Sequence, residues 1–296
     1  MATNEQAPGD LLEEELAGLD ALDALRVEEG PGIATRLWVA AWPKLAAVAI
    51  FLFVWQVIVW THWKPEYVIP SPWTALGELG SRAQTSEFWV AMKTTLRRAV
   101  VGYGVALVLG TALGVALTQS SVLRRAIGSM LTGLQSMPSI VWFPFAIIVF
   151  GLSESAILFV VVLGAFPSIA NGLVSGVGQI PPLLLRAGRV MGARGASALR
   201  HVVLPAALPG YIAGLKQGWA FAWRSLMAGE LLVFLEGRFS IGGDLHNAQD
   251  VSDMPRMLAL MMVIFVIGIV VDGLFFETIE RRIRRRRGLI EVGANG

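Results

Sequence analysis

Arg224 stands in Gly218-Trp219-Ala220-Phe221-Ala222-Trp223-Arg224-Ser225-Leu226-Met227, a stretch otherwise built from apolar and small residues. Its guanidinium is a planar fork of donors that matches a carboxylate or sulfonate, so it can hold an oxyanion or pair with an acid. Glu230 follows seven residues after Trp223, on the same helical face, and suits a gate, an ion pair or an interfacial position. Ser168, Asn171 and Ser175 share one face of another apolar run, and Gln135, Ser136 and Ser139 fall in a third. Such hydroxyls and amides either join neighbouring helices or line a polar path. Nucleophilic catalysis fits poorly, because a serine needs a base within reach and His62, His201 and His246 all lie outside the apolar runs. The histidines show no metal-ligand spacing and cysteine is absent; no catalytic residue and no metal site is assigned. Lys44, Lys64, Lys93 and Lys216 each follow a residue other than glycine, so the phosphate-cradling GK[ST] motif is missing.

The elements that position these groups follow from composition. The chain has 296 residues, 55% hydrophobic and 16% charged, with a mean hydropathy of +0.62. Soluble domains carry about a quarter charged residues, and the membrane class is what remains. At about 20 residues per span, apolar runs predict helices near 38–60, 96–118, 127–150, 155–177, 207–235 and 257–279. The expected fold is an all-α integral membrane protein of six transmembrane helices. Gly102, Ala106, Gly110 and Gly114 form a ridge of small residues on the second span, suited to close helix packing. Arg224 then falls midway along the fifth span, where an arginine costs about 2.5–3.5 kcal/mol. It is expected to face protein or a water-filled cavity and to contribute to an anion's path. The acids in or beside the spans are Glu154, Glu230, Asp272 and Glu277, all nearer helix ends.

Net charge is only +2, but it is unevenly spread. Residues 1–36 hold Glu5, Asp10, Glu13, Glu14, Glu15, Asp20, Asp23, Glu28 and Glu29 against Arg26 and Arg36, which rules out a secretory signal peptide. Leu12, Leu16, Leu19 and Leu22 recur at helical steps, consistent with a solvated tail or an amphipathic docking helix over 10–26. With the N-terminus inside, Arg124, Arg125, Arg186, Arg189, Arg194, Arg200 and the cluster Arg281–Arg287 all fall on the cytoplasmic side. Both termini are therefore expected there. The terminal arginines anchor topology and can meet anionic lipid; no nucleic-acid partner is expected. The expected organisation is an acidic tail over 1–36, a first transmembrane helix over 37–61, a five-helix core over 90–281 and a basic tail over 282–296.

One connection stands apart. Residues 178–205 include Pro181 and Pro182, suited to a first helical turn, and Gly192, where two short helical pieces change direction. Leu204-Pro205 then opens the next span. This loop resembles the "EAA" loop of binding-protein-dependent ABC importer permeases, E-A-A-x3-G-x9-I-x-L-P. Ala187 matches the first alanine, Gly192 the glycine, and Val202, Leu204 and Pro205 the closing I-x-L-P. Arg186 replaces the glutamate and Gly188 the second alanine. Further matches run across residues 66–280. Ile69-Pro70-Ser71-Pro72 resembles "L-P-S-P", and Thr95-Leu96-Arg97-Arg98 with Gly102 resembles "S-L-x-R-x-x-x-G". Met137-Pro138-Ser139-Ile140-Val141-Trp142-Phe143-Pro144 resembles "I-P-x-x-A-x-x-P", and Phe150-Gly151-Leu152-Ser153-Glu154 resembles "F-G-x-x-E". In the fifth span Gly214-Leu215-Lys216 and Ala228-Gly229-Glu230 resemble "G-L-R" and "A-x-E" of the sulfonate, taurine and nitrate branch.

The resemblance implies a type I importer permease in a bacterial-type inner membrane, working by alternating access with a second permease copy as a homodimer. It also implies two cytoplasmic ATPase subunits, which bind ATP and Mg, and an extracytoplasmic solute-binding protein. This chain then binds no cofactor of its own. Arg186, Ala187, Gly188, Arg189, Gly192, Ala193, Leu204 and Pro205 would couple to the ATPase; Arg224, Glu230, Asn171, Ser139 and Ser168 would line the translocation pathway. The implied cargo is a small oxyanion such as an alkanesulfonate, with taurine, nitrate and bicarbonate as the other members of the class. An ion-driven secondary transporter would leave the loop unexplained and calls for internal repeats that the halves do not show. An intramembrane hydrolase lacks its base.

Overall fold

The computed structural model describes residues 33–233, 235 and 237–286. The Leu12–Leu22 stripe, the acidic tail up to residue 32 and the tail from Arg287 onward lie outside the described residues. Every regular element among the described residues is helical. The chain divides into two compact units, Met1–Trp63 and Lys64–Gly296. The first contains α1 (Ile33–Trp60), with Pro43 inside it and an apolar stretch over Leu45–Trp60.

The second unit contains α2 (Pro72–Arg82), α3 (Ser86–Gln119), α4 (Ser121–Ser136), α5 (Phe143–Phe150), α6 (Glu154–Gly178), α7 (Pro182–Val190), α8 (Leu204–Leu232), α9 (Ile241–Asp250), α10 (Met254–Val271) and α11 (Thr278–Arg286). Side-chain oxygens start six of the ten: Ser71, Thr85, Ser120, Ser153, Ser240 and Asp253 accept from backbone N–H groups of the first turns of α2, α3, α4, α6, α9 and α10. These bonds satisfy donors a helix start leaves open.

The centre is α6, packed between α3 and α8. Ile157, Val160, Val161, Ala165 and Ile169 of α6 are fully buried against Ala106 of α3 and Leu226 of α8. The ridge on α3 faces this core, and Gly102, Ala106, Gly110 and Gly114 are all buried. The closest approach is between α6 and α8. Gly172 and Gly176 oppose Gly214 and Gly210, and a Cβ on any of the four would overlap the facing backbone. Van der Waals contact between backbones is how helices associate where lipid removes the hydrophobic drive.

Among the described residues three stretches are long and apolar enough to cross a membrane: α3, α6 and the run Met254–Ile283 that joins α10 to α11. The run expected as one span over 127–150 is instead α4 and α5, bent by 101°; counted together they make a fourth. Pro138 explains the bend, because the residue before a proline is pushed into extended backbone, and Met137 has ψ 130°. With 29 residues α8 is long enough, but Lys216, Arg224, Glu230 and its glycines lower its hydropathy. A π-helical turn, Asp272–Glu277, joins α10 to α11.

Candidate functional site

Charged residues that the sequence scatters over more than a hundred positions meet at the C-terminal end of α8. Glu230 is 1% exposed. Its Oε1 accepts from Arg98 Nη1 at 2.9 Å, its Oε2 accepts from the Gly242 N–H at 3.0 Å, and the Thr95 hydroxyl lies within 3.1 Å of both oxygens. The same hydroxyl accepts from the Ile241 N–H at 2.9 Å, so α3 and α8 together fill the open donors of the α9 N-terminus. A carboxylate there also meets the positive end of the helix dipole. Arg98 reaches on to Glu154 at 3.2 Å, where Arg97 at 3.4 Å and Arg238 also converge. A third carboxylate, Asp244 of α9, binds Arg82 of α2 and Arg256 of α10. Six helices are thereby tied together around these charges.

Towards the other end of α8 the polar groups are open. A cavity of ≈ 740 Å³ lies between α4, α6 and α8, with Glu280 and Ile283 of α11 on its wall. Thr132, Gln135, Ser168, Asn171, Ser175 and Gln217 line it. Asn171 Nδ2 donates to Gln135 Oε1 at 2.9 Å, joining α6 to α4. Ser168 is 1% exposed and its hydroxyl has no hydrogen-bond partner in the chain. Ser139 stands apart from the cavity, half-buried across from Gly164 of α6, where Ser225 of α8 also packs.

Arg224 is exposed on α8. Its Nε donates to the Ala220 carbonyl one turn back at 3.2 Å, and the guanidinium lies over the Phe221 ring, 5.0 Å from its centre. The four acids nearest the spans are engaged elsewhere: Glu154 and Glu230 in the cluster, Asp272 with Lys216 at 3.1 Å, Glu277 with Arg281 at 2.7 Å. Among the described residues no carboxylate pairs with Arg224. Gln217, seven residues before it, is exposed on the same helical face, so the arginine and the cavity share one stripe of α8.

The loop between α6 and α8 is built around a glycine. At the end of α7 the Ala193 N–H donates to the Gly188 carbonyl at 2.9 Å and the Gly192 N–H to the Arg189 carbonyl at 3.1 Å. This pair of bonds is a Schellman termination, which needs a left-handed residue at its turn; Gly192 supplies it with φ +85°. Gly188 is buried, and a Cβ there would come within 2.9 Å of the Val202 side chain. That contact accounts for glycine in place of the alanine of the EAA pattern. Arg186, Ala187, Arg189, Leu204 and Pro205 are exposed and Ala193 is half-buried; Leu183, Val190 and Met191 present apolar side chains at 76%, 89% and 86% exposure. The π-helical turn Leu199–Val203 then leads directly into α8.

The family model of the binding-protein-dependent transport system inner membrane component matches residues 106–285. The chain belongs to this family. The taurine transport system permease protein TauC of Escherichia coli (strain K12) is 25% identical over 253 residues, 84% of this chain and 90% of that one. The putative aliphatic sulfonates transport permease protein SsuC of Bacillus subtilis (strain 168) is 24% identical over 282 residues, 95% and 100% of the two chains. Among solved structures, the inward-facing MetNI methionine ABC transporter aligns with a TM-score of 0.55 at 22% identity, covering 66% of this chain and 96% of that one, which shows a shared fold. The protein is thus a multi-pass permease subunit of the inner membrane, not an enzyme; ATP hydrolysis sits in a partner subunit.

The permease motifs gain a spatial meaning. Thr95 and Arg98 of the "S-L-x-R" match, Glu154 of "F-G-x-x-E" and Glu230 of "A-x-E" form one cluster. Sequence reasoning counted Arg98 among the loop charges and did not join it to Glu230. The available signal was a basic residue inside the apolar helix 86–119, which buried charge pairing would require to have an acid.

Proposed function

We propose that this permease is the membrane-spanning subunit of an ATP-driven importer of a small oxyanion, an alkanesulfonate before taurine, nitrate or bicarbonate. Six spans with both termini in the cytoplasm carry a second copy of the chain as homodimer partner, two ATPase subunits that bind ATP and Mg on the cytoplasmic side, and a solute-binding protein outside. The taurine and aliphatic sulfonate relatives support the cargo class. The observation that carries the coupling role is α7, closed by a glycine turn and presenting Leu183, Val190 and Met191 outward. Arg186, Arg189 and Ala193 edge that surface, and Leu204-Pro205 passes its movement to α8. On the pathway, Arg224 attracts the anion, Asn171, Ser168 and Ser139 line the route, and Glu230 holds its far end together.

The loop tests the proposal. Gly192→Val puts a β-branched residue at φ +85°, where L side chains are strained. The purified variant is expected to lose the copurifying ATPase, or to retain it with hydrolysis no longer stimulated by the loaded binding protein. Wild-type assembly with wild-type stimulation would overturn the coupling role.

A further inference from the structure

The loop between α6 and α8 is strongly basic and carries no acid. Residues 178–205 hold Arg186, Arg189, Arg194 and Arg200 and not one Asp or Glu. All four arginines are exposed, and among the described residues none of them forms an ion pair. Arg186 has a particular place among them. It follows Leu183 by three residues and precedes Val190 by four, so it lies between these two exposed apolar side chains on one strip of α7. It also stands about 200° around the helix from Gly188, which packs inward against Val202.

Resting on the importer reading, we propose that the ATPase subunit presents a carboxylate to Arg186, and that this pairing restricts the permease to an ATPase of matching charge. When a groove takes up Leu183 and Val190, the guanidinium between them loses water. A desolvated cation then needs a hydrogen-bonded counter-charge. The loop supplies none, so the partner must. In the EAA pattern the same position is a glutamate. A groove fitted to that acid would offer Arg186 a like charge or no charge, and either mismatch weakens binding. An anionic membrane fits this position less well, because it would repel the glutamate of the pattern. Arginine also suits the role in shape: its fork takes a carboxylate through two bonds, which orients α7 in the groove as well as holding it.

The test measures how the ATPase subunit that copurifies with the wild-type permease binds to permease in phosphatidylcholine nanodiscs, with and without phosphatidylglycerol. Arg186 has no acid of its own chain to strand, so Arg186→Gln and Arg186→Glu should melt as wild type. Arg186→Gln is expected to raise Kd about thirtyfold, the low end of what stranding a buried charge costs, and Arg186→Glu to raise it further. Arg125→Glu, the same charge change at an exposed position of α4, should bind as wild type. Among ATPase variants with each Asp or Glu changed singly to Lys, one should return Arg186→Glu to within about threefold of wild type while weakening the wild-type permease. Wild-type affinity in Arg186→Glu, an equal loss in Arg125→Glu, or no rescuing lysine would overturn the pairing. A loss confined to nanodiscs containing phosphatidylglycerol would also overturn it, and would assign Arg186 to the membrane surface. A wild-type permease that copurifies with no ATPase would overturn the importer reading itself, and this proposal with it.

Discussion

Glu230 and Ser168 are both 1% exposed, yet the two regions around them treat buried polarity differently. Glu230 fills both oxygens from Arg98, Thr95 and the Gly242 N–H, and within its cluster only guanidinium Nε atoms, that of Arg98 among them, stand without a partner among the described residues. Ser168 has no partner, and its neighbours Gln135 and Asn171 share one bond between two amides. A buried carboxylate satisfied on both oxygens in a low dielectric holds its arrangement, because a departure leaves a costly charge behind. A partly satisfied network can exchange partners at small cost. The difference teaches that α8 is pinned at its C-terminal end and available for exchange along its middle, where Gln217 and Arg224 are exposed.

The largest effect should come from breaking the pinned end. Arg98→Met removes the one cation that pairs with Glu230 among the described residues and leaves a buried carboxylate unpaired, which costs about 3–5 kcal/mol. The variant should melt far below wild type in detergent or fail to accumulate. Adding Glu230→Gln removes the stranded charge and keeps an acceptor for Thr95 and Gly242, so the double variant should recover much of that loss. A single variant that melts with wild type would mean that the cluster does not pin α8.

The second effect is functional. Arg224 makes its one hydrogen bond to its own helix and has no carboxylate among the described residues, so removing its charge strands no partner. Arg224→Gln should leave the melting temperature unchanged while uptake of the anion falls about tenfold. If the melt instead falls as it does for Arg98→Met, Arg224 belongs with the pinned region and the comparison fails at that residue.

Much of this was legible in the sequence, and the reason differs by feature. The ridge Gly102–Gly114 and the turn at Gly192 depend on residues three or four apart, so spacing alone reports them. The polar lining of the cavity was half legible: Ser168, Asn171 and Ser175 were placed on one face, but Gln217 joins them only through the crossing of α6 and α8 at Gly172 and Gly214. The bend at Met137-Pro138 was masked by the apolar run that continues through it, since hydropathy sees composition and not backbone direction. Arg98 and Glu230 are separated by 132 residues, and no period within one helix can reveal that pairing.

The smallest effect is expected from a further ion pair of α8, Lys216 with Asp272. Its distance, 3.1 Å, is near that of Arg98 with Glu230, 2.9 Å, but its side chains are 39% and 47% exposed against 3% and 0%. Ions that keep contact with water gain little from pairing, about 0–1 kcal/mol. Asp272→Asn also retains a hydrogen-bond acceptor for the ammonium and the helical backbone of the π turn. Its melt should therefore shift by less than about 1 kcal/mol equivalent, well short of Arg98→Met measured beside it. A loss as large as that of Arg98→Met would show that this face of α8 is sealed from water in the assembled permease. The contrast between a filled and an open region would then describe the isolated chain and not the complex.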